Sequence, residues 1–197
     1  MAKLADLHCT VFRSTLGWMA VAGSDRTLCH VTFGHKTADA ARSRIANALL
    51  VPACQGDWNP GLRKRLQDYA DGAPVDFLDI PVQCDLTTPF ALAVLEACRR
   101  IPYGETRAYG ELAAQVGAPR AARAVGNVMR CNRLPLVVPC HRVVHGDGRI
   151  GQFSAPQGAS MKRRLLAMEA ASTRLTRFDR SRMRDLGISS VDGLVYA

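Results

Sequence analysis

Short apolar runs separated by turn residues fill the first half of the chain, a pattern typical of half-buried strands. Three runs predict strands, at Cys9–Phe12, Trp18–Ala22 and Leu28–Phe33. Two longer stretches then predict helices, at Ala38–Leu50 and Asn59–Ala70, before a Gly-Ala-Pro break. Residues 1–87 are therefore predicted to form a small N-terminal α/β module with a structural role, and none of its motifs is typical of catalysis.

The second half begins with clear helix signals. Thr88 followed by Pro89 is a typical helix start, since proline lacks the N–H that the first turn leaves unpaired. Gly117 suits the end of a later helix because glycine adopts positive φ without strain. These signals predict three helices, at Thr88–Arg100, Ala108–Val116 and Pro119–Cys131.

The third of these helices is predicted to have two unlike faces. At 100° per residue, its basic and amide side chains form a stripe about 80° wide, opposite an apolar face. The small residues Ala124 and Gly126 flank the stripe and permit close approach to another surface. Two helices joined by a glycine turn, the second with a basic face, match a helix-turn-helix, although a solvated amphipathic helix has the same pattern. The stripe consists of Arg120, Arg123, Asn127 and Arg130.

The charge distribution favours a polyanionic partner for the same half. The chain has 197 residues, of which 48% are hydrophobic, so it can bury a core and is not disordered. Its formal net charge is +9. Residues 1–87 carry nine basic and nine acidic groups, whereas residues 88–171 carry twelve basic and five acidic groups. The excess therefore lies in the helical half.

Cysteine usage and the apolar runs bear on location and cofactors. The chain has seven cysteines, an odd number, and is too large to need disulfides. No apolar run has the length of a signal peptide or a membrane span. We therefore expect a cytoplasmic protein (nuclear in a eukaryote) with reduced cysteines. Because the usual zinc spacings CxxC and HExxH are absent, we expect neither metal nor cofactor.

One cysteine has a neighbour suited to nucleophilic chemistry. Pro135 and Pro139 bracket a short apolar run, which predicts an extended segment carrying Cys140 and, next to it, His141. In a regular strand these two side chains point to opposite faces, so proton transfer between them needs a bridging water or a turn. A carboxylate would orient the histidine. The residues alone do not choose among five acids: Glu96, Glu105, Glu111, Asp147 and Glu169.

The segment Pro139-Cys140-His141-Arg142-Val143 resembles the PCHRV active-site motif of the O6-alkylguanine-DNA alkyltransferases, also called methylated-DNA–protein-cysteine methyltransferases. The resemblance spans about residues 88–170. Tyr103–Thr106 and Tyr109–Ala113 resemble the family's approach to its helix-turn-helix, Ala121–Gly126 its recognition helix, and Leu165–Glu169 its closing helix. It implies an α+β fold: an RNase H-like N-terminal domain (1–87), a winged helix-turn-helix domain with the active-site loop (88–171), and a C-terminal extension (172–197).

The family resemblance also implies a reaction, the irreversible transfer of an alkyl group from O6-alkylguanine in duplex DNA to Cys140. O4-alkylthymine is a further candidate substrate. The target base must leave the stack. The resemblance implies that the recognition helix lies in the minor groove of double-stranded DNA, and we expect the protein to bind as a monomer. His141 acts as base through water, oriented by Glu169, and Asn132 braces the turn that holds the cysteine. Tyr109 positions a phosphate and protonates the guanine ring.

The remaining implied roles concern the pocket and the DNA. The substrate is expected to contact Tyr109, Met129, Val143, Phe153 and Ser154. DNA contacts are expected from Arg120, Ala122, Arg123, Gly126, Asn127 and Arg130, with Arg123 filling the place of the flipped nucleotide. The chain departs from many relatives at Phe153, where they have Tyr, and in the longer loop 155–160. Two alternatives stay open, a relative that binds lesions without transfer and a winged-helix DNA-binding protein.

Overall fold

The computed structural model describes residues 7–49 and 56–185, and for residues 175–185 it describes the backbone alone. The protein combines small sheets with helices, as the sequence predicts. Its elements in chain order are β1 His8–Ser14, β2 Gly17–Ser24, β3 Thr27–His35, α1 Ala38–Leu49, α2 Pro60–Ala70, α3 Pro89–Arg99, β4 Arg107–Ala108, α4 Tyr109–Gln115, α5 Ala122–Arg130, β5 Val143–Val144 and α6 Ala159–Asp185.

The three predicted strands form an antiparallel sheet in the order β1-β2-β3. The central strand β2 is covered on both faces, because successive side chains of a strand point to opposite sides. Ala20 and Ala22 pack with Ile45 of α1, and their small size lets that helix lie close to the sheet. Met19 and Val21 point the other way, into the main core.

The main core joins the two halves of the chain. Leu66 and Tyr69 of α2 belong to the same buried cluster as Leu95 of α3 and Val128 of α5, and Cys140 lies in this cluster too. The N-terminal module therefore packs directly against the elements that carry the motif residues.

The helix starts follow the local signals, with one correction. The side chain of Asn59 accepts a hydrogen bond from the Leu62 N–H at the start of α2, and Thr88 begins α3 in the same way. The third predicted helix starts at Ala122 instead of Pro119. The segment before it is a turn, which the N–H of Ala121 closes by donating to the Ala118 carbonyl at 2.9 Å.

The last helix, α6, crosses the predicted start of the C-terminal extension. It runs from Ala159 to Asp185 and so passes through Ser172. The rest of that extension, residues 186–197, lies outside the described residues. Within the described ranges, no helix is both long and apolar enough to cross a membrane.

The expectation of reduced cysteines is wrong at one position. Cys9 is disulfide-bonded. Among the residues that the structure describes, the free cysteines are Cys29, Cys84, Cys98, Cys131 and Cys140.

Candidate active site

A cavity of about 390 Å³ opens beside α5 and reaches Cys140. Many of the predicted site residues line it: Cys140, Tyr109, Met129, Phe153, Ser154, Ala122, Arg123, Gly126 and Arg130. His145, Gly151 and Gln152 also line it, although the sequence did not single them out. The cavity therefore brings the cysteine, the aromatic residues and part of the basic helix face together.

Cys140 lies on a turn, and the predicted extended segment is wrong at this point. Cys140–Arg142 form one turn of 3₁₀ helix, in which the N–H of Arg142 donates to the Pro139 carbonyl at 2.8 Å. Successive side chains of a 3₁₀ turn are about 120° apart. Cys140 therefore lines the cavity while His141 contacts Glu169 of α6.

Asn132 holds the loop that leads into this turn. Its amide nitrogen donates to the Val138 carbonyl at 2.9 Å and to Cys140 Sγ at 3.1 Å, and its oxygen accepts from the Leu134 N–H at 2.9 Å. Between these contacts, Leu136 has φ +74°, a rare conformation for a side chain of this size. Asn132 is buried and does not line the cavity, so it contacts the cysteine from the protein interior.

His141 and Glu169 form a buried pair. His141 Nε2 lies 2.8 Å from Glu169 Oε1, and both side chains are inaccessible to solvent. Burial alone would raise the pKa of Glu169, but the hydrogen bonds and charges of His141 and Arg142 outweigh it and lower this pKa to about 2. The carboxylate is therefore ionised and accepts, so Nε2 carries the proton that it donates to Glu169.

The other ring nitrogen of His141 is then the proton acceptor. Burial lowers the pKa of His141, and Glu169 only partly offsets this effect, so the ring is neutral. With its proton on Nε2, a neutral imidazole has a lone pair on Nδ1. That atom is buried and makes no hydrogen bond with any described residue.

The thiol of Cys140 needs such an acceptor. Burial raises the pKa of Cys140, while the hydrogen bond from Asn132 and the charge of Lys162 oppose the rise. The thiolate is the reactive form of cysteine, so a nucleophilic role for this sulfur would require a base to remove its proton. No hydrogen bond joins Cys140 and His141 directly within the described part of the chain, and Sγ accepts from Asn132.

Two buried cations near the cysteine were missed in the sequence. Arg142 donates two hydrogen bonds of 3.0 Å to Glu169 and one of 2.7 Å to the Ile101 carbonyl. Lys162 donates to the Val143 carbonyl at 2.6 Å and lies 5.8 Å from the centroid of the Tyr109 ring. Arg142 stands in the quoted motif and could have been considered, whereas Lys162 had no comparable signal.

Lys162 also bears on the predicted role of Val143. That residue is buried and does not line the cavity, and its carbonyl already accepts the lysine hydrogen bond. The Cys140 carbonyl lies 3.4 Å from the same nitrogen. Lys162 Nζ thus lies within hydrogen-bond distance of both carbonyls.

The predicted two faces of α5 are confirmed. Its apolar residues Val125, Val128 and Met129 are buried, and Gly117 in the preceding turn has φ +76°. The stripe is exposed along its whole length: Arg120, Arg123, Asn127 and Arg130. Of these, Arg123 and Arg130 reach the cavity, and Arg120 and Asn127 lie beyond its wall.

Metal ligands are not assembled in the described ranges, 7–49 and 56–185. No three His, Cys, Asp or Glu side chains come close enough there to hold a metal ion.

Comparison with known proteins gives a consistent set of relatives. Residues 89–171 match the family model of the 6-O-methylguanine DNA methyltransferase DNA-binding domain. The chain is 34% identical over 182 residues to the methylated-DNA–protein-cysteine methyltransferase of Mycobacterium tuberculosis, covering 88% of this chain and 99% of that protein. It is also 38% identical over 120 residues to a protein of Thermus thermophilus named DNA base-flipping protein, covering 61% of this chain and 79% of that one.

The fold has a close match among solved structures. The crystal structure of Mycobacterium tuberculosis OGT in complex with DNA superposes with a TM-score of 0.70 at 32% identity, covering 84% of this chain and 94% of that chain. Both the helical half and the N-terminal module therefore have counterparts in one known architecture.

Proposed function

Because the chain belongs to the family of methylated-DNA–protein-cysteine methyltransferases, we propose that it repairs DNA by moving an alkyl group from O6-alkylguanine to Cys140. The observation that carries this proposal is the position of Cys140, at the wall of a cavity and backed by Asn132. Each protein molecule reacts once, because the thioether that forms has no hydrolytic step to release it. O4-alkylthymine is a second candidate substrate for the same cavity.

The protein's part in the chemistry begins with the proton of Cys140. His141 Nδ1 takes this proton through a bridging water, and Glu169 stabilises the imidazolium through the bond at Nε2. The sulfur then attacks the alkyl carbon, so that an S–C bond forms as the O6–C bond breaks. Asn132 remains bonded to the sulfur and keeps it directed at the cavity.

The leaving guanine needs a proton of its own. Tyr109 lines the cavity and, with a pKa raised by burial, keeps its hydroxyl proton at neutral pH, so it can donate to the ring nitrogen. Ser154, which also lines the cavity, would donate to O6, and Met129 and Phe153 would pack against the base. The Cys140 carbonyl would accept from the exocyclic amino group, beside Lys162.

The exposed face of α5 is the proposed contact with double-stranded DNA. Arg123 lies at the cavity and would occupy the space that the flipped nucleotide leaves. Ala122 and Gly126 have small side chains, so the helix backbone can approach the minor groove closely. A Cβ added at position 126 would lie 4.0 Å from the Tyr109 ring. The other members of the stripe would bind phosphates, which suits a search independent of sequence.

The finer structural classes belong to the same proposal. The antiparallel sheet with α1 is compatible with an RNase H-like module, and α4, Gly117 and α5 with a winged helix-turn-helix. We also propose a monomer that works where the DNA is, in the cytoplasm of a bacterium or the nucleus of a eukaryote.

A lesion-binding protein without transfer is the alternative, and the Thermus thermophilus relative makes it worth testing. Two hydrogen-bonded pairs on neighbouring residues, Asn132 with Cys140 and Glu169 with His141, favour transfer. The test is stoichiometry. With excess duplex that carries radiolabelled O6-methylguanine, bound label should rise to one methyl per protein and stop. Continued turnover, or tight binding of the duplex without bound label, would contradict single transfer to the protein.

Arg123→Ala should separate DNA recognition from chemistry. Loss of the guanidinium should lower the rate constant for repair in duplex DNA on the order of tenfold or more. Flipping costs a few kcal/mol, and no side chain then fills the space that the nucleotide leaves. Transfer from free O6-benzylguanine should change by less than about twofold. Both single-turnover rate constants are measured with wild type in parallel. Equal losses on the two substrates would contradict the flipping role.

A further inference from the structure

The N-terminal module contributes one polar group to the buried pair at the active site. Tyr69, near the end of α2, is fully buried, and its hydroxyl lies 2.5 Å from Glu169 Oε1 and 3.1 Å from His141 Nε2. Neither the motif nor the charge pattern indicated this residue, which lies 100 positions before Glu169 in the chain.

Glu169 Oε1 is shared among three donors. It accepts from Tyr69, from His141 Nε2 at 2.8 Å and from an Arg142 nitrogen at 3.0 Å. The second oxygen, Oε2, accepts from the Gly104 N–H at 3.0 Å and from Arg142 Nε at 3.0 Å. Tyr69 is the one donor in this set that comes from the N-terminal module, and its hydroxyl binds the same oxygen that accepts from His141 Nε2.

The direction of the Tyr69 hydrogen bond follows from the charges. Burial raises the pKa of Tyr69 well above its ordinary value, and the Glu169 charge raises it further, so the hydroxyl keeps its proton. The ionised carboxylate has no proton to give, and Nε2 already donates to it. Tyr69 therefore donates to Oε1 and draws part of its negative charge away from His141.

We propose that Tyr69 is a positioning residue of the alkyl-transfer reaction, whose hydroxyl fixes Glu169 Oε1 against His141 and limits how strongly that carboxylate stabilises the protonated imidazole. The inference rests on the proposed function, because it concerns the proton that Cys140 gives up. A base that holds its proton too strongly is protonated before the reaction and cannot accept another. On this account the N-terminal module sets the pH range of repair.

Tyr69→Phe removes no charged group from the surroundings of the His141–Glu169 pair. Among the described residues, the ionisable groups that face His141 are Tyr69, Glu169, Arg142 and Lys162, and those that face Tyr69 are His141, Glu169, Arg142 and Tyr103. A shift in the pKa of His141 in Tyr69→Phe would therefore be caused by the lost hydroxyl and not by a change in the number of charged groups.

The chain offers a matched control for this test. Tyr103 packs edge-on against Tyr69, with ring centroids 5.9 Å apart, but its hydroxyl donates to the Gly72 carbonyl at 3.0 Å. Tyr69→Phe and Tyr103→Phe each remove one hydroxyl from the same aromatic cluster, and only the first removes a hydrogen bond to Glu169. Any general effect of the substitution on packing should appear in both.

The experiment measures the single-turnover rate constant for a methylated duplex between pH 5 and 9, with duplex affinity measured alongside. For Tyr69→Phe we expect the acidic midpoint of the pH–rate profile to rise by about one pH unit. Glu169 loses the hydrogen bond from the Tyr69 hydroxyl, so His141 keeps its proton to higher pH. At pH values below the wild-type midpoint the rate constant should fall about tenfold, the alkaline plateau should stay within about threefold, and affinity should not change. For Tyr103→Phe the midpoint should not move.

Titration of the His141 ring by ¹⁵N NMR provides a readout independent of rate, and should show the same upward shift in Tyr69→Phe. A rate that falls equally at every pH with an unmoved midpoint would overturn the proposal, as would an equal shift in Tyr103→Phe or a Tyr69→Phe protein that does not fold. If wild-type protein transfers no methyl group, the proposed function fails instead, and the NMR titration still decides whether Tyr69 controls His141.

Discussion

Cys140→Ala is expected to abolish alkyl transfer while the protein still binds alkylated duplex. Removing the attacking group of a covalent mechanism lowers rates on the order of 10⁴-fold or more. The side chain lies against the cavity at 4% exposure, and its loss removes one small group without leaving a charge unpaired. Transfer is measured as label on the protein, and binding by fluorescence anisotropy of the duplex.

A second cysteine supplies the control for this variant. Cys131, at the end of α5, is free and exposed, and it lies outside the cavity wall. Cys131→Ala should therefore transfer at the wild-type rate. Residual transfer by Cys140→Ala at more than about 1% of the wild-type rate would mean that another residue takes the alkyl group.

Glu169→Gln should show the second largest effect, on both stability and rate. The substitution removes the negative charge that pairs with Arg142, whose side chain is 7% exposed. Breaking a buried ion pair by removing one partner costs roughly 3–5 kcal/mol, because the remaining charge is left without compensation. Transfer at pH 7 should fall about 10²-fold, since the amide stabilises a protonated His141 poorly.

The free energy of unfolding is measured with urea, and the rate by single turnover. Glu96→Gln is the control, because Glu96 pairs with Arg100 at an exposed site on α3, where an ion pair contributes about 0.5 kcal/mol or less. A Glu169→Gln protein of wild-type stability would contradict the buried network.

The same carboxylate predicts how wild-type stability depends on pH. The pKa of Glu169 is about 2 in the folded protein and ordinary in the unfolded chain, so this group stabilises the fold at neutral pH. Its contribution, about 3 kcal/mol, is complete above roughly pH 5 and is lost as the pH falls towards 2. Urea unfolding at several pH values should show this loss in wild type and a flatter profile in Glu169→Gln. Parallel profiles would contradict the assignment.

Much of the fold follows from local signals in the sequence. The strand positions follow from the alternation of apolar and polar residues, and the starts of α2 and α3 follow from capping at Asn59 and Thr88. The turn at Cys140 was predicted as an extended segment because Pro135 and Pro139 were interpreted through their effect on the residues before them. The effect of a proline on the preceding residue does not take account of the hydrogen bonds from Asn132 that shape the loop.

Some residues of the candidate site could also be predicted from the sequence, and others could not. Cys140 and His141 are adjacent in the chain and could be predicted together, and the family motif selected Glu169. Tyr69 could not be found, since its role depends on how α2 packs against α6, a contact between residues 100 positions apart. Lys162 was missed because a lysine in an amphipathic helix normally faces solvent, whereas here it donates to the Val143 carbonyl.

The mass of the peptide that contains Cys140 is the most direct test of alkyl transfer to this residue. The protein is incubated with a duplex that carries one O6-methylguanine, then digested and analysed by mass spectrometry with fragment sequencing. The account predicts that one methyl group, about 14 Da, is added at Cys140 and that the guanine in the duplex is restored. A folded protein whose Cys140 peptide keeps its original mass while the lesion disappears, or whose methyl group lies on another residue, would contradict it.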